Sequence, residues 1–178
     1  RNSGFMIDLP HVLSTSNYAG ALDSDLRDIR LSRAAITFAR SIVDEFNLPA
    51  EAFAMNGKWN AAATRKGLKH NTVYSQHLDK LKEPYRMINA EEMYDLTGSR
   101  YYQGGLWTPG TAMIQPALYI RCFADALVSH LDCKLYENTP VTSINKMSDQ
   151  WIVKTNTGSI RTNKVVLAVN GLIENFGF

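Results

Sequence analysis

The apolar run Val165-Val166-Leu167-Ala168-Val169 ends in Asn170-Gly171, and this junction is where the chain offers chemistry through its backbone. In open α/β sheets a ligand docks beyond the carboxyl ends of such strands. Ala168, Val169, Asn170 and Gly171 are therefore the positions from which main-chain groups would approach a phosphate-bearing molecule, with a simple turn as the alternative. Gly104-Gly105 interrupts the aromatic stretch from Tyr101 to Trp107, which reads as a bulge or kink, or as a place where backbone comes close to something. Other chemistry finds less support. His70 and His77 can share a helix face, but a metal site needs more ligands and Lys66, Lys69 and Lys80 oppose a cation, so both read as solvated. Cys122 and Cys133 fit neither a redox pair nor a zinc set, and Cys122 falls on an apolar stripe as packing. Arg65, Lys66, Lys69 and His70 read as a solvated helix start, with an acidic substrate tail as the alternative. No Ser/His/Asp or Cys/His spacing supports a nucleophile.

These residues need elements to hold them. Apolar positions at Ile29, Ala35, Ile36, Ala39, Ile42, Val43 and Phe46 recur every three or four residues, which predicts a helix over Ser24 to Phe46, with Ser24 as its cap and Pro49 forbidding continuation. Phe53, Met55, Gly57 and Trp59 alternate with polar or small residues, the period of one half-buried strand. A more polar helix follows from about Lys66 to Lys82. Asn89 stands three residues before Glu92 as a capping box, and Gly98 stops a short helix over Ala90 to Thr97. Pro116 suits a first helical turn, and the stripe Leu118, Cys122, Phe123, Ala126, Leu127 and Leu131 carries a helix to Leu131. Strands are then expected at Lys134 to Tyr136, Pro140 to Lys146, Gln150 to Lys154 and Ser159 to Arg161, with a turn at Asn156-Thr157-Gly158. The run Lys164 to Val169 reads as a strand covered on both faces, as in a parallel sheet.

The composition is that of an ordinary globular protein, and 178 residues suffice for one domain or two small ones. A formal charge of +2 lacks the concentrated positive field that nucleic-acid binding requires. The longest apolar run is far short of the roughly 20 residues of a membrane helix. No charged-then-apolar leader is read at the start, and two unpaired cysteines suit a reducing compartment, so a cytoplasmic protein without a membrane span is expected.

Arg1-Asn2-Ser3-Gly4-Phe5, Gly104-Gly105-Leu106-Trp107, Gln115-Pro116, Tyr136-Glu137-Asn138-Thr139-Pro140-Val141 and Lys164 to Gly171 resemble, in that order, successive segments of the FAD-dependent D-amino-acid-oxidase-like family. The γ-glutamylputrescine oxidase and D-amino acid dehydrogenase branches are the most similar. The resemblance implies that Arg1, Asn2, Ser3 and Gly4 lie against the flavin, that Val141 contacts the adenine end through its backbone, and that Ala168, Val169, Asn170 and Gly171 pass near the ribose and pyrophosphate. It further implies that Tyr101, Tyr102 and Trp107 wall the substrate side, where apolar groups exclude water from a hydride acceptor. The reaction implied is hydride transfer from an amine-bearing carbon to flavin, with an amine or amino acid as the small-molecule substrate; no catalytic base is assigned.

The family's phosphate device, GxGxxG between a first strand and its helix, does not occur here, and the family continues past a segment like Asn170-Gly171. The expectation is therefore an α+β fragment with a mixed sheet and packed helices. It would comprise a piece of the FAD-binding domain at residues 1–48, part of an antiparallel substrate domain at 49–111, and a second FAD-domain piece at 112–178. Alone it is expected to be inactive and not to hold FAD tightly. Two alternatives stand beside this reading. One is a non-catalytic domain binding a ligand or protein, with self-association through exposed sheet edges. The other is a flavoenzyme acting on hydroxy acids or glycerol phosphate.

Overall fold

The computed structural model describes residues 3–10 and 22–176, so Arg1 and Asn2 lie outside the described residues. The chain forms two compact units, Arg1–Leu131 and Asp132–Phe178.

In the first unit, helix α1 spans Leu22–Phe46 and buries Ile29, Ile36, Ala39, Ile42 and Val43, the stripe that the periodicity predicts. It starts two residues earlier than expected, so Ser24 sits in the first turn instead of capping it, beside Asp23 and Asp25. Its end is a left-handed stop at Asn47, with the Leu48 N–H donating to the Val43 carbonyl at 3.0 Å and the Leu48 side chain buried. The expected single strand over Phe53 to Trp59 is two. Strand β2 is Phe53–Ala54 and β3 is Lys58–Ala62, separated where the backbone turns at Gly57 (φ +71°) and entering different sheets. Helix α2 covers Arg65–Leu81; the Thr64 side chain accepts from the Gly67 N–H, and Lys82 closes it in the left-handed region. Strand β4 (Arg86–Asn89) runs into helix α3 (Ala90–Thr97), whose capping box between Asn89 and Glu92 and stop at Gly98 are as predicted. Strand β5 is Gly104–Thr108, β6 is Ala112–Ile114, and helix α4 is Pro116–His130.

Two three-stranded antiparallel sheets result, β1-β6-β2 and β3-β5-β4, where β1 is Phe5–Met6. Gly104 and Gly105 pair in register with Ala62 and Ala61, so no bulge occurs there; Leu68 and the Met93 sulfur fill the space over them. The first core joins α1, β2, β6 and α4 through Ile36, Ala39, Ile42, Phe53, Ala112 and Tyr119, and the Tyr119 hydroxyl donates to the Ala39 carbonyl at 3.0 Å. The second packs Leu9, Ile29, Tyr74, Leu78, Leu81 and Leu106 together. Each fully buried side chain of this kind contributes about 1.5–3 kcal/mol of transfer free energy.

The second unit is an antiparallel meander of β7 (Val141–Met147), β8 (Gln150–Thr155) and β9 (Ser159–Thr162). The expected turn at Asn156 to Gly158 forms, with the Thr155 hydroxyl accepting from the N–H groups of Thr157 and Gly158. Two expected strands do not. Among the described residues Lys134 to Tyr136 has no ladder partner and Lys164 to Val169 pairs with no strand, with Val166 89% exposed. Alternating or apolar sequence supplies a strand's side chains but not its neighbour, and a strand without a neighbour satisfies no backbone group. The α+β class holds, while every strand pair among the described residues is antiparallel.

Candidate functional site

The segment that begins with Ser3 and Gly4 is held by the sheet it enters. Gly4 is buried with φ +83°, the Ile114 N–H donates to its carbonyl at 2.8 Å, and a Cβ there would overlap the Ile114 carbonyl oxygen. Only glycine meets both demands without strain. Ser3 beside it is exposed. The ladder continues through Phe5 opposite Met113 and Met6 opposite Ala112.

Beyond the ladder the chain reaches a buried charge that sequence reasoning missed. Asp8 is 1% exposed. Its carboxylate accepts from Arg33 Nε at 3.2 Å, from Arg33 Nη2 at 3.1 Å and from the Thr111 hydroxyl at 3.3 Å. It also lies so close to Gly110 that a Cβ at that position would overlap it. Arg33 in turn donates to both Glu83 oxygens, and these bonds, opposed by partial burial and joined by those to Asp8, hold the guanidinium above its ordinary value. Lys58 faces the same charge: burial pushes its ammonium below the ordinary value despite attraction from Asp8, and Nζ lies 5.9 Å from the centre of the Tyr74 ring. One polar residue between Ile7 and Leu9 was the only local signal of this cluster, because its partners are 25 to 103 positions away.

On the sheet β3-β5-β4, Trp107 stands opposite Trp59 in register, with ring centroids 6.0 Å apart. Arg86 is the rung partner of Trp107 on the other side. Tyr101 and Tyr102 precede β5 and meet edge to face at 5.3 Å, with Tyr101 exposed. Thr108, opposite Lys58, is wholly buried, and neither its hydroxyl nor the side-chain amide nitrogen of Asn60 has a hydrogen-bond partner among the described residues. The expectation of a solvated His77 is overturned: it is buried and lies 2.8 Å from the Asp25 carboxylate, because α2 turns this face toward α1. Arg65, Lys66 and Lys69 are exposed at the α2 start as read, whereas His70 is half-buried. An open cleft of about 430 Å³, lined by Ile7, Leu9, Pro10, Asp28, Leu31 and Ser32, contains none of the sequence candidates.

In the second unit, Val141 opens β7 opposite Thr155. Ala168 is exposed and Val169 half-buried, and the Val169 carbonyl accepts from the Leu172 N–H at 3.1 Å. Asn170 (φ +51°) and Gly171 start a short 3-10 helix, Asn170–Phe176, and a Cβ on Gly171 would meet nothing within 4 Å. Among the described residues no group of acidic, histidine and cysteine side chains could hold a metal, and no helix is long and apolar enough to cross a membrane.

A family model described as FAD dependent oxidoreductase (DAO) matches residues 1–176. No curated protein matches the sequence. Among solved structures, L-amino acid deaminase from Proteus myxofaciens superposes with a TM-score of 0.72 at 18% identity, covering 99% of this chain and 38% of its own. Glycine oxidase from Geobacillus kaustophilus gives 0.70 at 17% identity, covering 93% of this chain and 43% of its own. L-proline dehydrogenase from P. horikoshii gives 0.66 at 20% identity, covering 84% and 40%. At such identities the likeness concerns the fold, and this chain spans well under half the length of each.

Proposed function

The chain belongs to the DAO family of FAD-dependent oxidoreductases, and from that premise we propose that it is part of a flavoenzyme that oxidises an amine or amino acid in the cytoplasm. The carrying observation is the match over residues 1–176, which takes in every segment of the sequence resemblance. The names of the neighbours, an amino acid deaminase, a glycine oxidase and a proline dehydrogenase, support an amine over a hydroxy acid or glycerol phosphate.

When bound, FAD would supply the hydride acceptor for oxidation of the amine-bearing carbon to an imine, which water would then hydrolyse. The residues fit such a group on two observations. Gly4 holds a positive φ next to an exposed Ser3, and the space over the Gly171 backbone is open. In this reading Arg1, Asn2, Ser3 and Gly4 contact the flavin, the Val141 backbone meets the adenine end, and Ala168 to Gly171 run beside the ribose and pyrophosphate. Trp107, with Tyr101 and Tyr102, excludes water on the substrate side, and Trp59 extends that aromatic surface. Residues 1–48 and 112–178 serve the cofactor domain and 49–111 the substrate domain. One feature supports that division: the sheet β3-β5-β4 lies wholly within the middle segment.

Turnover of the full-length gene product on amines against hydroxy acids tests the substrate class; activity on hydroxy acids alone overturns it. The Lys164 to Val169 segment, which pairs with no strand among the described residues and alternates exposed with half-buried positions, favours a second reading, a non-catalytic module that recruits a second copy by strand addition. Concentration-dependent dimers without flavin, measured by sedimentation, favour that reading; a monomer at all concentrations removes it.

A further inference from the structure

The ladder that holds the Ser3–Gly4 segment is short. β1 and β6 pair through two rungs, Phe5 with Met113 and Met6 with Ala112. So few rungs do not by themselves specify register, and a slip by one residue would exchange the faces of Phe5 and Met6. Something outside the ladder has to fix it. At one end Gly4 lies against Ile114, close enough to exclude a side chain. At the other end the pin is Asp8, whose carboxylate packs on Gly110 and takes hydrogen bonds from Thr111 and, twice, from Arg33. Thr111 lies one residue from β6, and Arg33 belongs to α1, so the carboxylate ties residues 4–8 to the opposite strand and to the neighbouring helix at once. The glycines at the two ends sit on opposite strands, and a slip in either direction would drive a side chain into backbone or into a carboxylate.

We propose that Asp8 is a positioning residue that fixes how the Ser3–Gly4 backbone is presented to FAD, an inference that rests on the reading of that segment as a flavin contact. Asp8 does not touch the reacting groups; it acts through the register of β1 on β6.

The test uses the full-length flavoprotein with Asp8→Asn, Arg33→Gln and Ser3→Glu, reading the FAD dissociation constant and the visible circular dichroism of the bound flavin at saturating FAD. Asp8→Asn is expected to weaken FAD binding about tenfold, the scale of one charge-assisted hydrogen bond lost, and to change the flavin bands at saturation. Arg33→Gln is expected to shift both the same way by less, because Thr111 still holds Asp8, and it decides alone where Asp8→Asn does not fold. Wild-type bands at saturation in the folded variants, with only the melting temperature lowered, overturn the proposal, since a purely structural role leaves the saturated spectrum alone. Ser3→Glu alters an exposed side chain and probes the contact itself. If it leaves affinity and spectrum unmoved, the contact reading falls and the proposal with it. If it moves them while Asp8→Asn and Arg33→Gln do not, only the positioning role of Asp8 falls.

Discussion

Thr108 and Thr111 are both 0% exposed and stand three residues apart, yet the same isosteric change should act on them with opposite sign. The Thr108 hydroxyl is buried with no hydrogen-bond partner among the described residues, so folding removes it from water without a bond in return from them. Thr108→Val keeps the volume and replaces that group by a methyl, which should stabilise the chain by about 1–2 kcal/mol. The Thr111 hydroxyl instead donates to the Asp8 carboxylate at 3.3 Å. Thr111→Val leaves a buried charge with one donor fewer and should destabilise by about 1–3 kcal/mol. For a chain of this size each kcal/mol corresponds to roughly 2–4 °C in melting temperature, so the two variants should melt several degrees apart. Urea unfolding followed through Trp59 and Trp107, which lie on the same sheet as Thr108, gives the free energies directly. A loss of 1 kcal/mol or more in Thr108→Val would refute the reasoning, because it would mean that the hydroxyl has a partner, such as an ordered water.

Three further outcomes follow from the same geometry. Lys58, whose ordinary value is 10.5, is lowered by burial, so the unfolded chain holds this proton more tightly than the folded one. Wild-type stability should therefore gain on Lys58→Met as pH rises through the lowered value toward 10.5, and a constant difference in urea midpoints from pH 7 upward would contradict this. Asn89→Ala removes the side chain that accepts from the Glu92 N–H at 2.9 Å and should cost about 1 kcal/mol, with faster amide exchange confined to the first turn of α3. The chain by itself should lose added FAD on gel filtration, since it carries no glycine-rich phosphate loop; flavin absorbance travelling with the protein would refute that.

What the sequence made legible is what local spacing determines. The stripe on α1, the Asn89–Glu92 capping box, the proline entry of α4 and the Thr155 to Gly158 turn each depend on residues within a few positions of one another, and each is present. Short strands were harder, because β1, β2 and β6 have only two or three residues each and exist through partners far along the chain. The run Lys164 to Val169 shows the opposite failure, a strong apolar pattern to which no described strand is added. His77 was misread because its burial depends on Asp25, 52 positions away, although Tyr74, Leu78 and Leu81 already marked that side of α2 as inward. The Asp8 cluster was invisible for the same reason. The flavin contacts rested on the ordered family resemblance, not on periodicity, which carries no information about a ligand.

Asp8 and Thr111 are 103 positions apart, and the β1 rungs span slightly more chain. Closing so long a loop has an entropic cost that only the finished contacts offset, which places this pairing among the late events of folding. On a ribosome adding about 5–20 residues per second, Phe5 and Met6 wait on the order of 5–20 s before their partners are even synthesised. For that interval a piece of edge strand and an aspartate destined for the interior are both in water, and α1, though already made, has no sheet to rest on. That interval is the period in which a chaperone or a protease would find these residues exposed.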